Sequence, residues 1–486
     1  MSPWRTSTLV VGFDLDMTLL DARRGIVATF AELAAETGVT IDGEAAVRRL
    51  GPPLEDEIAR WFPADEVARR AARYRELYAV HAVPVSVAMP HAAEAVEAVR
   101  SAGGRVVVVT AKSEPLARAS LEHIGITADH VAGWLFAETK GAAIEEHGVD
   151  VFVGDHVGDV HGARAGGAAS VAVPTGPCPP DDLTAAGADV VLPDLAAFPA
   201  WLADEVLRRR LDTLSARLGE LGSVLVAFSG GADSAFLLAA AARELGPDAV
   251  VAATAVSASL PAAELDAARR FATGLGVRHL FPATDEMSHE GYRANSSNRC
   301  YFCKSELVDT LAPLAAELGL AHVVTGTNAD DARAGFRPGI GAAASRGART
   351  PLLDAGLTKA QVRAASRTWG LPTWDKPAAA CLASRIAYGV RVSPARLARV
   401  ERAETALRVA TAAAGLHIRD LRVRDLGDVA RIEVDADHVA GLVARPDLVS
   451  VVVESGFARA EVDPRGFRSG SMNELLPAPG RQTEPA

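Results

Sequence analysis

Cysteine is scarce, with four in 486 residues. That number cannot build a disulfide scaffold, so the thiols read as reduced and any clustering among them reads as chemistry in a cytoplasmic protein. Long apolar runs are also missing. No charge-free stretch of about 20 apolar residues occurs, which excludes a membrane-spanning helix. Asp14 and Asp16 break the N-terminal apolar run too early for a signal-peptide core. A surplus of positive charge is absent too: 50 Lys and Arg face 61 Asp and Glu, a net charge of −11. This argues against a surface dedicated to nucleic acid and leaves room only for local basic pockets. No repeat recurs at a fixed period. What remains is 49% hydrophobic and 23% charged, a globular composition with length for about three domains.

Two segments share one grammar: a β-branched run, a turn rich in Gly, Asp or Ser, then a helical pattern. They open at Val10–Asp16 and at Val224–Ser234. Each reads as the first strand of a parallel α/β sheet with its functional loop at the strand's C-terminal end. Pro193–Arg210 closes the first unit with a Pro-punctuated turn and a helix, which places a boundary near 200–210. A second boundary lies near Val390–Pro394. Beyond it the pattern predicts a helix over Pro394–Ala413, strands over Asp420–Asp425 and Val429–Val434, one further helix and a last strand. The expected domains are 1–203, 208–390 and 391–470, with 471–486 a disordered tail.

In the first unit the strand VVGF delivers Asp14 and Asp16 at i and i+2, followed by Thr18. One carboxylate can attack phosphorus while the other protonates a leaving oxygen. VVVV ends at Thr110, Lys140 opens a helix, and VFVG precedes Asp155 and Asp159. A lone DxD is usually a turn or cap feature, but all four motifs occur here in order after apolar runs. The set resembles the haloacid dehalogenase-like (HAD) superfamily, over about residues 8–200. The resemblance implies a Rossmannoid α/β domain with Asp14 as nucleophile and Asp16 as acid/base. It also implies Thr110 and Lys140 on the phosphoryl oxygens, and Mg²⁺ held among Asp14, Asp16, Asp155 and Asp159. A cation is physically required, because a bare carboxylate repels a phosphate anion. Residues 22–85 are helical in pattern and match a cap that closes over substrate.

In the second unit Ser229, Gly230, Gly231, Asp233 and Ser234 lie between a strand and a helix. The glycines let backbone N–H groups approach phosphate oxygens at a helix N-terminus. No Lys follows the second Gly, so this is not a Walker loop. It resembles the SGGxDS PP-loop of enzymes that cut ATP between its α- and β-phosphates. Downstream come Cys300 and Cys303 in NRCYFCK, Asn328 and Asp330 in GTNADD, GLTK ending at Lys359, and LPTWDKP. Cys381 and Arg385 follow in ACLASR, and Arg422 and Arg424 in LRVR. In this order they closely resemble the LarE-type sulfur transferases of the PP-loop superfamily, over about residues 208–470. Two departures stand out: Ala232 where a bulkier apolar residue is usual, and Ser345 where an acid is expected after the alanines.

The resemblance implies an adenine nucleotide alpha hydrolase-like α/β domain followed by a small α+β domain. Its reaction adenylates each carboxylate of pyridinium-3,5-biscarboxylic acid mononucleotide with ATP, and sulfur then displaces AMP, as in nickel-pincer nucleotide biosynthesis. ATP is expected on Ser229, Gly230, Gly231, Asp233, Ser234, Asn328 and Asp330. Arg385, Arg422 and Arg424 are the candidates for the substrate phosphate, the last two alternating along one strand face. The cysteine matching Cys381 is in this family either sacrificial, ending as dehydroalanine, or a ligand of a [4Fe-4S] cluster. Cys300, Cys303 and Cys381 make three thiols in one unit, which favours the cluster; Cys178 has no assigned role. The resemblance also implies a homo-oligomer, with a hexamer as the expected form. The expected partner is a small nucleotide, not nucleic acid or membrane. The competing reading is a PP-loop tRNA thiolation enzyme carrying a non-catalytic HAD-like module.

Overall fold

Parallel sheets organise both halves of the chain. The computed structural model describes residues 8–333, 338–377, 380–468 and 471–475, and it divides between Arg209 and Arg210 into two compact units. The architecture is α/β, as the sequence pattern predicts.

In the first unit six parallel strands lie in the order His130–Ala132, Arg105–Val109, Val10–Phe13, Val151–Gly154, Ala169–Ala172, Val190–Val191. Val10–Phe13 is fully buried, as a strand covered on both faces must be. It pairs with Arg105–Val109 on one side and Val151–Gly154 on the other. The three strands that end at Asp14, Thr110 and Asp155 are therefore adjacent, and their C-terminal ends open on one place. Helices Arg23–Thr37 and Val67–His81 dominate the segment between the first two motifs. They pack through Phe30 and Tyr74, whose ring centroids lie 4.6 Å apart, and form the helical cap expected for residues 22–85.

The unit boundary falls inside one long helix, Phe198–Leu221. The sequence pattern ends this helix near Arg210, but nothing there stops it. Pro199 sits in the first turn, where proline is tolerated. The next firm breaker is Gly222, at φ +70°.

In the second unit four parallel strands lie in the order Arg278–Leu280, Val250–Ala253, Val224–Ala227, His322–Thr325. The chain switches direction across the sheet between Val224–Ala227 and His322–Thr325, the position at which open α/β sheets place their ligands. The third sheet pairs Leu421–Asp425 antiparallel with Val429–Val434, and Arg459–Val462 runs parallel to the latter. Helix Pro394–Ala413 begins where expected, with Ser393 as N-cap. Two features correct the sequence reading. Two helices, Ala436–Val443 and Pro446–Glu454, replace the single one expected, because Pro446 can only start a new helix. The expected disordered tail also begins too early. Ser471–Leu475 forms a 3₁₀ turn, and the Ser471 hydroxyl donates to Glu433 at 2.7 Å. Residues 476–486 lie outside the described residues.

Candidate functional sites

At the strand ends of the first unit, Asp14, Asp155 and Asp159 bring one carboxylate oxygen each within 4.8 Å of one another, all buried. Asp159 reaches the group from the first turn of helix Val157–Ala165. Lys140 Nζ donates to Asp14 and to Asp159 at 2.6 Å each. Thr18 donates to Asp155 at 2.7 Å, and Thr110 is buried beside them. Three buried carboxylates thus cluster around one ammonium, which bonds two of them. Burial pushes Asp14 up to about 7 against the pull of Lys140, and burial with the neighbouring Asp14 raises Asp155 as well. Burial works against the Lys140 ammonium, but Asp14 and Asp159 hold its pKa above the ordinary lysine value. The surplus of clustered negative charge, in an all-oxygen donor set, fits a divalent cation such as Mg²⁺.

Asp16 stands apart from this set. Its carboxylate accepts from Lys112 Nζ at 2.7 Å, which corrects the expectation that its side chain belongs to the metal group. Lys112 also donates to the Tyr78 hydroxyl at 2.7 Å, tying a cap helix to Asp16. The motif reading missed Lys112. The signal was its i+2 spacing from Thr110 just past the strand end.

In the second unit Gly230 adopts φ +70°, the left-handed conformation that glycine enters without strain. The Ser229 and Ser234 hydroxyls lie 3.1 Å apart, and Ser234 also donates to the Gly231 carbonyl at 3.2 Å. Asn328 donates to Asp233 at 3.2 Å, and its own Oδ1 accepts from the N–H groups of Asp330 and Asp331. The expected ATP residues therefore converge on one loop cluster. Burial raises the Asp233 pKa against Lys359, whose Nζ lies 3.6 Å away. Lys376, another residue the motif reading left without a role, donates to the Gly230 carbonyl at 2.9 Å and to Glu264 at 2.6 Å.

Cys381 caps the short turn Leu382–Arg385. Arg385 is buried; it donates to the Cys381 carbonyl at 3.0 Å and to Glu404 at 3.0 Å. Cys303 and Cys381 both pack against the core of the third sheet, while Cys300 is exposed. Burial, then Cys381, pushes the Cys303 thiol up to about 12. Among the described residues the three thiols do not form a set whose sulfurs all lie within 4.8 Å of one another. An all-thiolate donor set is the chemistry an iron–sulfur cluster uses.

A cleft of about 980 Å³ opens beside this turn and is lined in part by Lys376, Arg385, Arg408, Arg419 and Arg422. Burial, with Arg385 and Arg408 nearby, depresses the Arg422 guanidinium. Arg424 points elsewhere. It pairs with Glu433 at 2.7 Å and reaches the Ser384 carbonyl, and it is not among the residues lining the cleft. Ser345, where an acid was expected, donates to the Ala342 carbonyl within its own helix turn.

Fold and sites together define an α/β protein that joins a phosphohydrolase-like unit to a PP-loop unit. Comparison with known proteins agrees. Residues 11–164 match the model of the haloacid dehalogenase-like hydrolase family. The phosphoglycolate phosphatase of Rhodospirillum rubrum is 31% identical over 39% of this chain and 89% of its own length. An uncharacterized Synechocystis protein, slr1717, is 43% identical over 56% of this chain and 99% of its own length. The pyridinium-3,5-bisthiocarboxylic acid mononucleotide synthase of Lactiplantibacillus plantarum is 35% identical over 54% of this chain and 94% of its own length. The chain belongs to two families joined end to end, the HAD-like hydrolases in its first unit and the LarE-type proteins over the rest.

Proposed function

We propose that the second unit is an ATP-dependent sulfur transferase that converts the two carboxylates of pyridinium-3,5-biscarboxylic acid mononucleotide to thiocarboxylates. The observation that carries this reading is the LarE-type relative, which matches over 94% of its length. The PP-loop would hold ATP so that a substrate carboxylate attacks the α-phosphorus and pyrophosphate leaves. The acyl adenylate then gives sulfur a good leaving group, AMP. Arg385 and Arg422 face the cleft that would receive the mononucleotide, whose phosphate suits guanidinium pairing. Arg424 supports that wall through Glu433 and the Ser384 carbonyl. The sulfur would come either from Cys381 itself or from a cluster held by Cys300, Cys303 and Cys381.

The test is incubation with ATP, Mg²⁺ and the biscarboxylated mononucleotide, followed by mass analysis of substrate and protein. Sulfur gained by the substrate supports the reading; a substrate unchanged by anaerobically prepared protein overturns it. Loss of H₂S mass, about 34 Da, from the Cys381 peptide assigns the sacrificial route. About four irons per chain with an intact Cys381 assigns the cluster.

The first unit would hydrolyse a phosphate monoester. Asp14 attacks phosphorus, and the leaving oxygen takes its proton from Asp16. Water then attacks the aspartyl phosphate, giving its proton back to Asp16, while Lys140 and Thr110 hold the phosphoryl oxygens. Mg²⁺, when held by Asp14, Asp155 and Asp159, neutralises charge between nucleophile and phosphate. Turnover of a generic aryl phosphate with Mg²⁺ that disappears in Asp14→Asn supports this. Equal turnover in the variant contradicts it.

A further inference from the structure

The cavity above Asp14 has a polar floor and an apolar wall. Its volume is about 170 Å³, and a cavity of that order takes little more than one six-membered ring beside the reacting group. The floor is the site already described. The wall is supplied by Ile26, Phe30, Leu50, Leu54, Tyr74 and Leu116. Phe30, Tyr74 and Ile26 are buried, and the Phe30 and Tyr74 rings lie against each other.

Three arginines also line the cavity, and each already has a partner on the cap. Arg49 donates to Glu57 at 3.0 Å, and Arg60 lies 3.5 Å from the same carboxylate. Arg75 pairs with Glu55 at 2.6 Å and stacks on Trp134 at 4.3 Å. A second anionic group on the substrate would have to compete with Glu55 and Glu57 for these guanidinium groups and would face those carboxylates as like charges. A polyol would lose binding wherever its hydroxyls fall against Ile26, Leu50 and Leu54 rather than against polar side chains such as Asp56, Ser113 or His156. An apolar group meets neither obstacle and gains by leaving water.

We infer that the first unit selects phosphate monoesters whose leaving alcohol is small and apolar, such as a benzyl-type alcohol, over sugar, polyol or carboxylate-bearing esters. This rests on the reading of Asp14 as the nucleophile of a phosphohydrolase.

The experiment measures kcat/KM with Mg²⁺ on the full chain for benzyl phosphate, methyl phosphate, glycerol 3-phosphate and 2-phosphoglycolate. All four release alcohols, so none has the intrinsic advantage of an aryl ester. Benzyl phosphate is expected to exceed glycerol 3-phosphate and 2-phosphoglycolate by about tenfold or more. In Leu54→Ser, a change at a half-buried wall position, the benzyl-to-methyl ratio should fall severalfold. Phe30→Ala should act in the same direction.

Equal or better turnover of glycerol 3-phosphate or 2-phosphoglycolate overturns the inference and leaves the phosphohydrolase reading intact. So does a benzyl-to-methyl ratio that neither variant changes. Hydrolysis of none of the four, nor of an aryl phosphate, overturns both.

Discussion

Arg385 lines the cleft and at the same time ties the Cys381 turn to its surroundings. Its guanidinium is 4% exposed, and it holds Glu404 on one edge and the backbone of the Cys381 turn on another. Glu404 in turn accepts from the Val423 N–H at 3.0 Å, so the arginine links the cysteine turn to the third sheet. Arg385→Leu should leave the half-buried Glu404 carboxylate without its cation and cost about 1–3 kcal/mol of stability, read as a lowered urea midpoint. Arg385→Lys should recover only part of the loss, because a point ammonium cannot reach both partners as a fork does. His279 makes a second case. Its Nε2 lies 2.8 Å from the Thr254 hydroxyl, which donates to the Phe228 carbonyl, so Nε2 carries the proton. Nδ1 is buried without a partner. Burial, then Arg269, lowers the ring's pKa to about 4. As pH falls below the unfolded value of about 6.5, the unfolded chain takes a proton that the folded ring refuses, so stability drops between pH 6.5 and 4. The ring is half-buried, and screening limits the effect to about 1–2 kcal/mol. The urea midpoint should fall from pH 7.5 to 5, and His279→Phe should flatten that slope.

Strand ends carry both sites, and this is why so much was legible in the sequence. Asp14, Thr110 and Asp155 each follow an apolar run, and parallel pairing of those runs brings the three together with no further information. Ser229–Ser234 was legible for the same reason. The cap helices were legible from their period, although the period cannot say which side chains line the cavity. Pairings set by long-range packing were not legible. Lys112 meets Asp16 across 96 residues of sequence, and Arg424 turns to Glu433 because the hairpin register places that carboxylate two pairs away, on the same face. The end of Phe198–Leu221 was missed because a boundary between units need not coincide with a break in a helix. Close approach between elements makes its own demand at Gly326, just past strand His322–Thr325. A Cβ there would sit 2.8 Å from the Ser234 backbone nitrogen, and backbone cannot give way as a side chain can. Gly326→Ala should push the PP-loop off its position, costing about 1–3 kcal/mol of stability. It should also weaken ATP binding by about tenfold, measurable by calorimetry with a non-hydrolysable ATP analogue.

Charge favours a small nucleotide over an RNA in the partner proposed for the second unit. The chain as a whole carries −11. In the second unit one cleft is lined by Lys376, Arg385, Arg408, Arg419 and Arg422, and Glu264, Glu401 and Glu404 line the same walls. A pocket of that kind suits one phosphate on a molecule that enters it. RNA binding needs a stripe of cations matched to many phosphates, and each phosphate neutralised adds to the salt dependence. The acidic background would repel the rest of a polyanion, over about 8 Å at physiological ionic strength. Filter binding with bulk tRNA at 150 mM salt should therefore give a Kd no tighter than about 10 µM, with a shallow dependence on salt. The biscarboxylated mononucleotide should bind more tightly, and Arg422→Ala should weaken it by about tenfold or more, since a charge-assisted pair is lost. Tight tRNA binding with a steep salt slope would turn the assignment toward tRNA thiolation, because only a surface that meets many phosphates at once produces that slope.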